Sequence, residues 1–153
     1  MSAPPDIMTL CRPHEGVWRG TYIHIDADGG EVDRHAAEVV NAFPADGPYA
    51  YVQTSRFRWP DRAEEHVFPG VLADNRLLWK TERLEGVAYT SADAPQTLFL
   101  NFRRVDLPGI EIVEMIHLGA AVGIRMRSWQ WLKDGVPFRR TLVDERRVSK
   151  VVP

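Results

Sequence analysis

Ionisable and aromatic side chains share the same parity in several short stretches of this chain. In VWRGTYIHID, Trp18, Gly20, Tyr22 and His24 fall on every second residue. Tyr51, Gln53, Ser55, Phe57 and Trp59 do the same, and so do Arg125, Arg127, Trp129 and Trp131. Such residues on one inward face suit acid–base chemistry on a small molecule. His24 or Glu114 would move the proton, Tyr51 and Gln53 would hold a substrate oxygen, and Arg127 would stabilise developing negative charge. Tyr22, Trp59, Trp129 and Trp131 are candidates for stacking on a flat apolar ligand, with Arg125 beside them. The plain alternative is packing plus a buried Glu–Arg network. Glu82, Glu114 and Glu145 each sit in an apolar stretch, and a lone buried carboxylate is too costly to leave unpaired.

Other chemistries lack their motifs. The histidines are His14, His24, His35, His66 and His117, with no HExxH, HxH or CxxC. His24, His35 and His117 could converge on zinc from separate strands, but without a local motif they read as unrelated residues. No metal or other cofactor is expected. No phosphate-binding loop occurs, and DADGG reads as a hairpin turn rather than a calcium loop. Ser55 and Ser128 lack an elbow motif, and Cys11 falls in a helix, so covalent catalysis is not expected.

The elements that position these residues are strands. One short helix is expected in PDIMTL, opened by Asp6 and closed by Pro13. Period-2 patterning predicts strands at 17–26, 31–43, 49–59, 64–72, 75–84, 86–91, 97–105, 111–119, 123–133 and 137–149. DADGG, PADGP, PDRAE, ADN, DAPQ, DLPG and KDG separate them, KDG being the clearest hairpin turn. Many short strands at even spacing imply an antiparallel up-and-down sheet. Closure into a barrel of about eight to ten strands removes its edges. Small barrels either fill their lumen or hold one ligand, and alternating Arg with Trp suits a ligand cavity.

Composition bounds the reading further. The 153 residues suit one domain, 1–153, and 44% hydrophobic with 26% charged residues is a globular balance. A net charge of -2 gives no reason to expect nucleic acid or an anionic membrane as partner. No apolar run is long enough to span a bilayer, and MSAPPDIM does not look like a signal peptide. The single cysteine excludes an internal disulfide and suits a cytoplasmic location. A homodimer is compatible with the pattern.

The Gly16–Trp18 GxW at the first strand, with basic residues waiting in RRTLVDERRV, resembles the calycin superfamily of lipocalins and fatty-acid-binding proteins. That resemblance implies a Trp at the closed end of a barrel with an Arg from the last strand over its ring. The ordered set GVWRGTY, YVQTSRFRW, IVEMIHL, RMRSWQWL and RRTLVDERRV is similar to DUF3598, a bacterial family related in fold to the phycobiliprotein lyases. The likeness runs over about residues 14 to 148. It implies the fold, and barrels of this kind host carriers and enzymes alike. No motif ties the chain to the calycin-fold phenolic acid decarboxylases.

Three functions are therefore expected in order. The first is a cofactor-independent lyase or isomerase acting on a small aromatic or hydrophobic metabolite in the lumen. The second is a non-catalytic carrier or binding protein of the lipocalin kind. The third is a scaffold with a filled barrel.

Overall fold

A computed structural model describes residues 2–153. The chain starts with α1 (Ile7–Cys11) and a 3-10 turn (Arg12–His14). Ten strands follow: β1 (Gly16–Asp26), β2 (Glu31–Ala42), β3 (Tyr51–Arg58), β4 (Ala63–Ala73), β5 (Arg76–Lys80), β6 (Leu84–Ser91), β7 (Ala94–Arg104), β8 (Ile110–Leu118), β9 (Ile124–Lys133) and β10 (Val136–Ser149). Each strand pairs antiparallel with its sequence neighbour, and β1 pairs with β10 to close the barrel. The expected all-β, up-and-down, calycin-like barrel with a short N-terminal helix is the fold observed.

Turn chemistry works as the sequence suggests. At KDG, Asp134 and Gly135 have φ of 48° and 82°, and at ADN, Asp74 and Asn75 have φ of 48° and 57°. Positive φ at both central residues matches the right-handed twist of the flanking strands. Two expectations fail. Residues 75–84 are not one strand: β5 stops at Lys80, and Glu82 lies in the turn before β6. Thr81 causes this, because its Oγ1 accepts from the backbone N–H groups of Arg83 and Leu84 and competes with the strand ladder. DAPQ is also not wholly a turn, since β7 already begins at Ala94.

The two ends of the barrel differ. Asp6 caps α1 by accepting from Thr9 N at 2.7 Å. The helix then sets Ile7, Met8 and Cys11 against Leu77, Trp79, Ala88, Leu98 and Ile116 and plugs one end. Burying a side chain such as Ile7 contributes roughly 1.5–3 kcal/mol. Burial also pushes the Cys11 thiol up to about 12, so no thiolate forms there. Trp18 is fully buried and donates its Nε1 to His14 O at 2.8 Å. Arg147 from β10 lies 4.5 Å from the Trp18 ring centroid and Arg125 lies 4.9 Å from it. The last-strand cation over the GxW tryptophan is thus present.

β1 and β10 approach closely at Gly20, where a Cβ would stand 1.9 Å from Asp144 O. No side chain fits there without moving backbone. Among the described residues, no helix is long and apolar enough to cross a membrane.

Candidate functional site

The Trp18–Tyr22–His24 face points into the barrel. Trp18, Tyr22, Trp79 and Trp129 are all buried, so these rings serve the interior and not an outer interface. The lumen holds a cavity of about 330 Å³. Its middle is apolar, with Phe57, Phe102, Ile112 and Trp129 among the lining residues. Its two ends are polar, and they are built differently.

Toward the α1 end lies a buried charge network carried by β8, β9 and β10. Arg125 Nε donates to Glu145 Oε2 at 2.5 Å, and Arg127 Nε donates to Glu114 Oε1 at 2.7 Å. Arg127 Nη1 donates to the Tyr22 hydroxyl at 2.8 Å and lies 3.4 Å from Glu145 Oε1. Register explains the convergence: β9 sets Arg125 opposite Glu145 and Trp129 opposite Glu114. Two arginines facing two carboxylates leave the group electrically balanced, which makes its burial tolerable. Burial raises the Glu114 carboxyl above its usual range despite Arg127. Burial also works on Glu145, but Arg125 and Arg127 outweigh it and hold that carboxyl low. Tyr22 is raised by burial and stays a phenol.

A second polar ladder runs along β3. The Tyr51 hydroxyl donates to Asn41 Oδ1 at 2.5 Å and lies 3.0 Å from Gln53 Oε1. Gln53 Nε2 donates to Ser55 Oγ at 2.9 Å. Asn41 Nδ2 in turn donates to His14 O at 3.1 Å, so the ladder ties β2 and β3 to the 3-10 turn.

At the opposite end, the mouth gathers His24 from β1, Asp33 and His35 from β2, Trp59 from just beyond β3, and Trp131 and Thr141 from β9 and β10. His24 Nδ1 meets Thr141 Oγ1 at 2.7 Å, and Trp131 Nε1 donates to the same oxygen at 2.8 Å. Asp33 accepts from His35 Nδ1 at 2.8 Å and from Trp59 Nε1 at 2.9 Å. Burial brings the His24 imidazole down to about 4, with His35 adding to the effect and Asp33 opposing it. Arg62 stacks 4.0 Å above the Trp59 ring.

Three buried polar atoms carry no hydrogen bond among the described residues: Arg125 Nη2, Trp129 Nε1 and His14 Nδ1. All three residues line the cavity. An unsatisfied buried donor costs about 1–3 kcal/mol, so the Arg125 and Trp129 N–H groups would gain from a ligand oxygen brought within reach.

The residues expected from sequence thus divide into three groups rather than one. Glu114 and Arg127 join Tyr22 and Arg125 in the charge network. Tyr51 and Gln53 bond each other. His24, Trp59 and Trp131 stand at the mouth. His117 does not join His24 and His35: it bonds Thr97 Oγ1 at 2.8 Å, near the α1 end of β8. Asp33, Thr141 and His14 were not singled out from sequence. Only the β1–β2 register, which sets His24 opposite Asp33 and Tyr22 opposite His35, brings the mouth together.

A scan against protein-family models gave no match, and neither did a search of curated proteins. Among solved structures the chain is similar to a protein of unknown function from the DUF3598 family of Nostoc punctiforme PCC 73102. The two superpose with a TM-score of 0.70 at 18% identity, over 96% of this chain and 51% of that one. The chain therefore spans about half the length of that protein. At this identity the likeness shows a common fold.

Proposed function

We propose that the barrel binds one small aromatic or hydrophobic molecule in its lumen, with an anionic or carbonyl oxygen turned toward Arg125 Nη2 and Trp129 Nε1. One observation carries this reading: two buried donors without a partner among the described residues belong to side chains that line a cavity whose middle is apolar. An apolar pocket with a few convergent polar groups is the common form of a small-molecule site. At about 330 Å³ the cavity lies at the small end of the range for such sites, ~300–1,000 Å³. Arg125 anchors the oxygen, Trp129 fixes the ring plane, and Phe57 and Phe102 provide apolar walls.

The test is a fluorescence titration with aromatic carboxylates and with their uncharged analogues of the same shape. Tight binding of the carboxylates, weakened at least about tenfold by Trp129→Phe or Arg125→Gln, is the expected result. Equal binding of charged and uncharged analogues by all three proteins contradicts the anchoring role. No binding of either class contradicts the lumen site and favours the filled scaffold.

One observation favours a second reading, acid–base lyase or isomerase chemistry. His24 lines the cavity, is held through Nδ1 by Thr141, and has no hydrogen bond at Nε2 among the described residues. It is placed to move a proton on a bound molecule. Each ligand that binds is followed by chromatography. Conversion that disappears in His24→Ala supports an enzyme, and an unchanged ligand supports a carrier.

A further inference from the structure

We infer that His24, Asp33 and His35 form a binding site for a divalent first-row transition-metal ion at the mouth of the barrel. The inference does not depend on what the lumen binds, but an ion on His24 Nε2 would occupy the nitrogen that the acid–base reading uses. One donor atom from each residue lies within 4.8 Å of the other two. His24 Nε2 is 3.7 Å from Asp33 Oδ2, and His35 Nδ1 is 2.8 Å from the same oxygen. These distances bracket the ~3.0–3.4 Å between donors that a cation with ~2.1 Å bonds imposes. Small side-chain rotations would complete the set.

The surroundings of His24 and Asp33 match those of metal ligands. A coordinating imidazole needs its second nitrogen held, and Thr141 Oγ1 holds His24 Nδ1 at 2.7 Å, leaving Nε2 for the ion. Trp131 Nε1 orients that hydroxyl from the other side at 2.8 Å. A coordinating carboxylate is hydrogen-bonded through its other oxygen, and Trp59 Nε1 donates to Asp33 Oδ1 at 2.9 Å. The His35 ring is fixed between aromatic neighbours, 4.2 Å from the Trp59 centroid and 5.2 Å from that of Tyr22.

A purely structural trio would leave less over. The His35–Asp33 hydrogen bond accounts for that pair, but His24 Nε2 stays too far from the carboxylate to bond it. No arginine or lysine neutralises Asp33 among the described residues; its close ionisable partners are the two imidazoles. A cation supplies the missing positive charge and uses the free ring nitrogen at once. Asp33 is partly exposed, which gives an entry path.

The donor set selects the ion class. Two imidazoles and one carboxylate suit Zn²⁺, Fe²⁺, Co²⁺ or Ni²⁺, whereas Ca²⁺ and Mg²⁺ prefer all-oxygen shells. Three protein ligands leave at least one position for water or an oxygen of a bound molecule.

The test is titration of the chelator-treated full chain with Co²⁺, read by its visible absorption, with Zn²⁺ as competitor. The expected result is one saturable site per chain, displaced by Zn²⁺. His24→Ala and the near-isosteric Asp33→Asn should each weaken it by about 100-fold or more, and Thr141→Val by about tenfold. His66→Gln and His117→Gln should leave it unchanged. Circular dichroism of each variant verifies folding, and Asp33→Asn decides if His24→Ala does not fold. The inference is overturned if the folded wild-type chain takes up neither ion saturably. It is equally overturned if folded Asp33→Asn binds as the wild type does, or if binding is lost in His66→Gln or His117→Gln.

Discussion

Arg125 gives its Nε to Glu145 at 2.5 Å and leaves its Nη2 unpaired inside the barrel. The ion pair fixes the guanidinium, and under the proposed function the free edge is what a ligand would meet. Holding the cation in place before binding reduces the entropy lost when an anionic group docks. Under that proposal stability and recognition would share one side chain, and separate variants distinguish them.

The Arg127–Glu114 pair is predicted to be costly to break and cheaper to replace whole. Arg127→Met strands Glu114 beside an apolar side chain and should lose about 3–5 kcal/mol in urea denaturation. The double variant Arg127→Met/Glu114→Leu should recover part of that loss, because no lone charge then remains at that pair. A single variant losing less than about 1 kcal/mol would contradict the picture of a tightly coupled buried network.

Acid lability is predicted at His14. Burial and the nearby Arg125, Arg127, Arg147 and His117 bring its imidazole down to about 3 from the ordinary 6.5. Below pH 6.5 the unfolded chain binds a proton there that the folded chain refuses. Stability should therefore fall as pH drops from about 6.5 toward 3, by up to about 1.4 kcal/mol per pH unit from this group. Denaturant melts across that window should show a shallower pH slope in His14→Gln than in the wild type. Parallel slopes would mean His14 takes up its proton while folded.

Gly20 tests the close approach of β1 and β10. In Gly20→Ala the new methyl would meet the Asp144 carbonyl, which is backbone and cannot swing aside. The loss should reach or exceed the upper end of the ~1–3 kcal/mol usual for overpacking. Gly29→Ala is the comparison: its site is open, and only its φ of 88° resists a side chain. Thermal melts of the two variants should differ clearly, with Gly20→Ala the lower.

Much of the barrel was legible because its strands keep strict parity where it matters. In β1 the register shifts fall between Val17 and Trp18 and between His24 and Ile25. They bracket the stretch from Trp18 to His24 without interrupting it, so those side chains share the lumen face as their spacing implies. Glu82 was misplaced because one hydroxyl, Thr81 Oγ1, ended a strand whose hydrophobic pattern ran on. Asp33 went unnoticed for a different reason. Its meaning comes from lying opposite His24, and that pairing depends on the exact length of the DADGG hairpin. Parity says which face a residue takes but not which residue stands across from it. The splitting of the expected acid–base group into a charge network and a mouth is likewise a matter of height along the barrel, to which alternation is blind.

The central claim is that a ligand oxygen meets Trp129 inside the lumen, and the indole N–H resonances read that directly. The chain has five tryptophans, so a ¹⁵N-labelled sample should show five indole cross-peaks, with Trp129 assigned by its absence in Trp129→Phe. Titration with an aromatic carboxylate that binds should shift the Trp129 peak most, by the new hydrogen bond at Nε1. The Trp18 peak, whose N–H is already given to His14 O, should hardly move. A bound ligand that leaves the Trp129 peak in place would contradict the account.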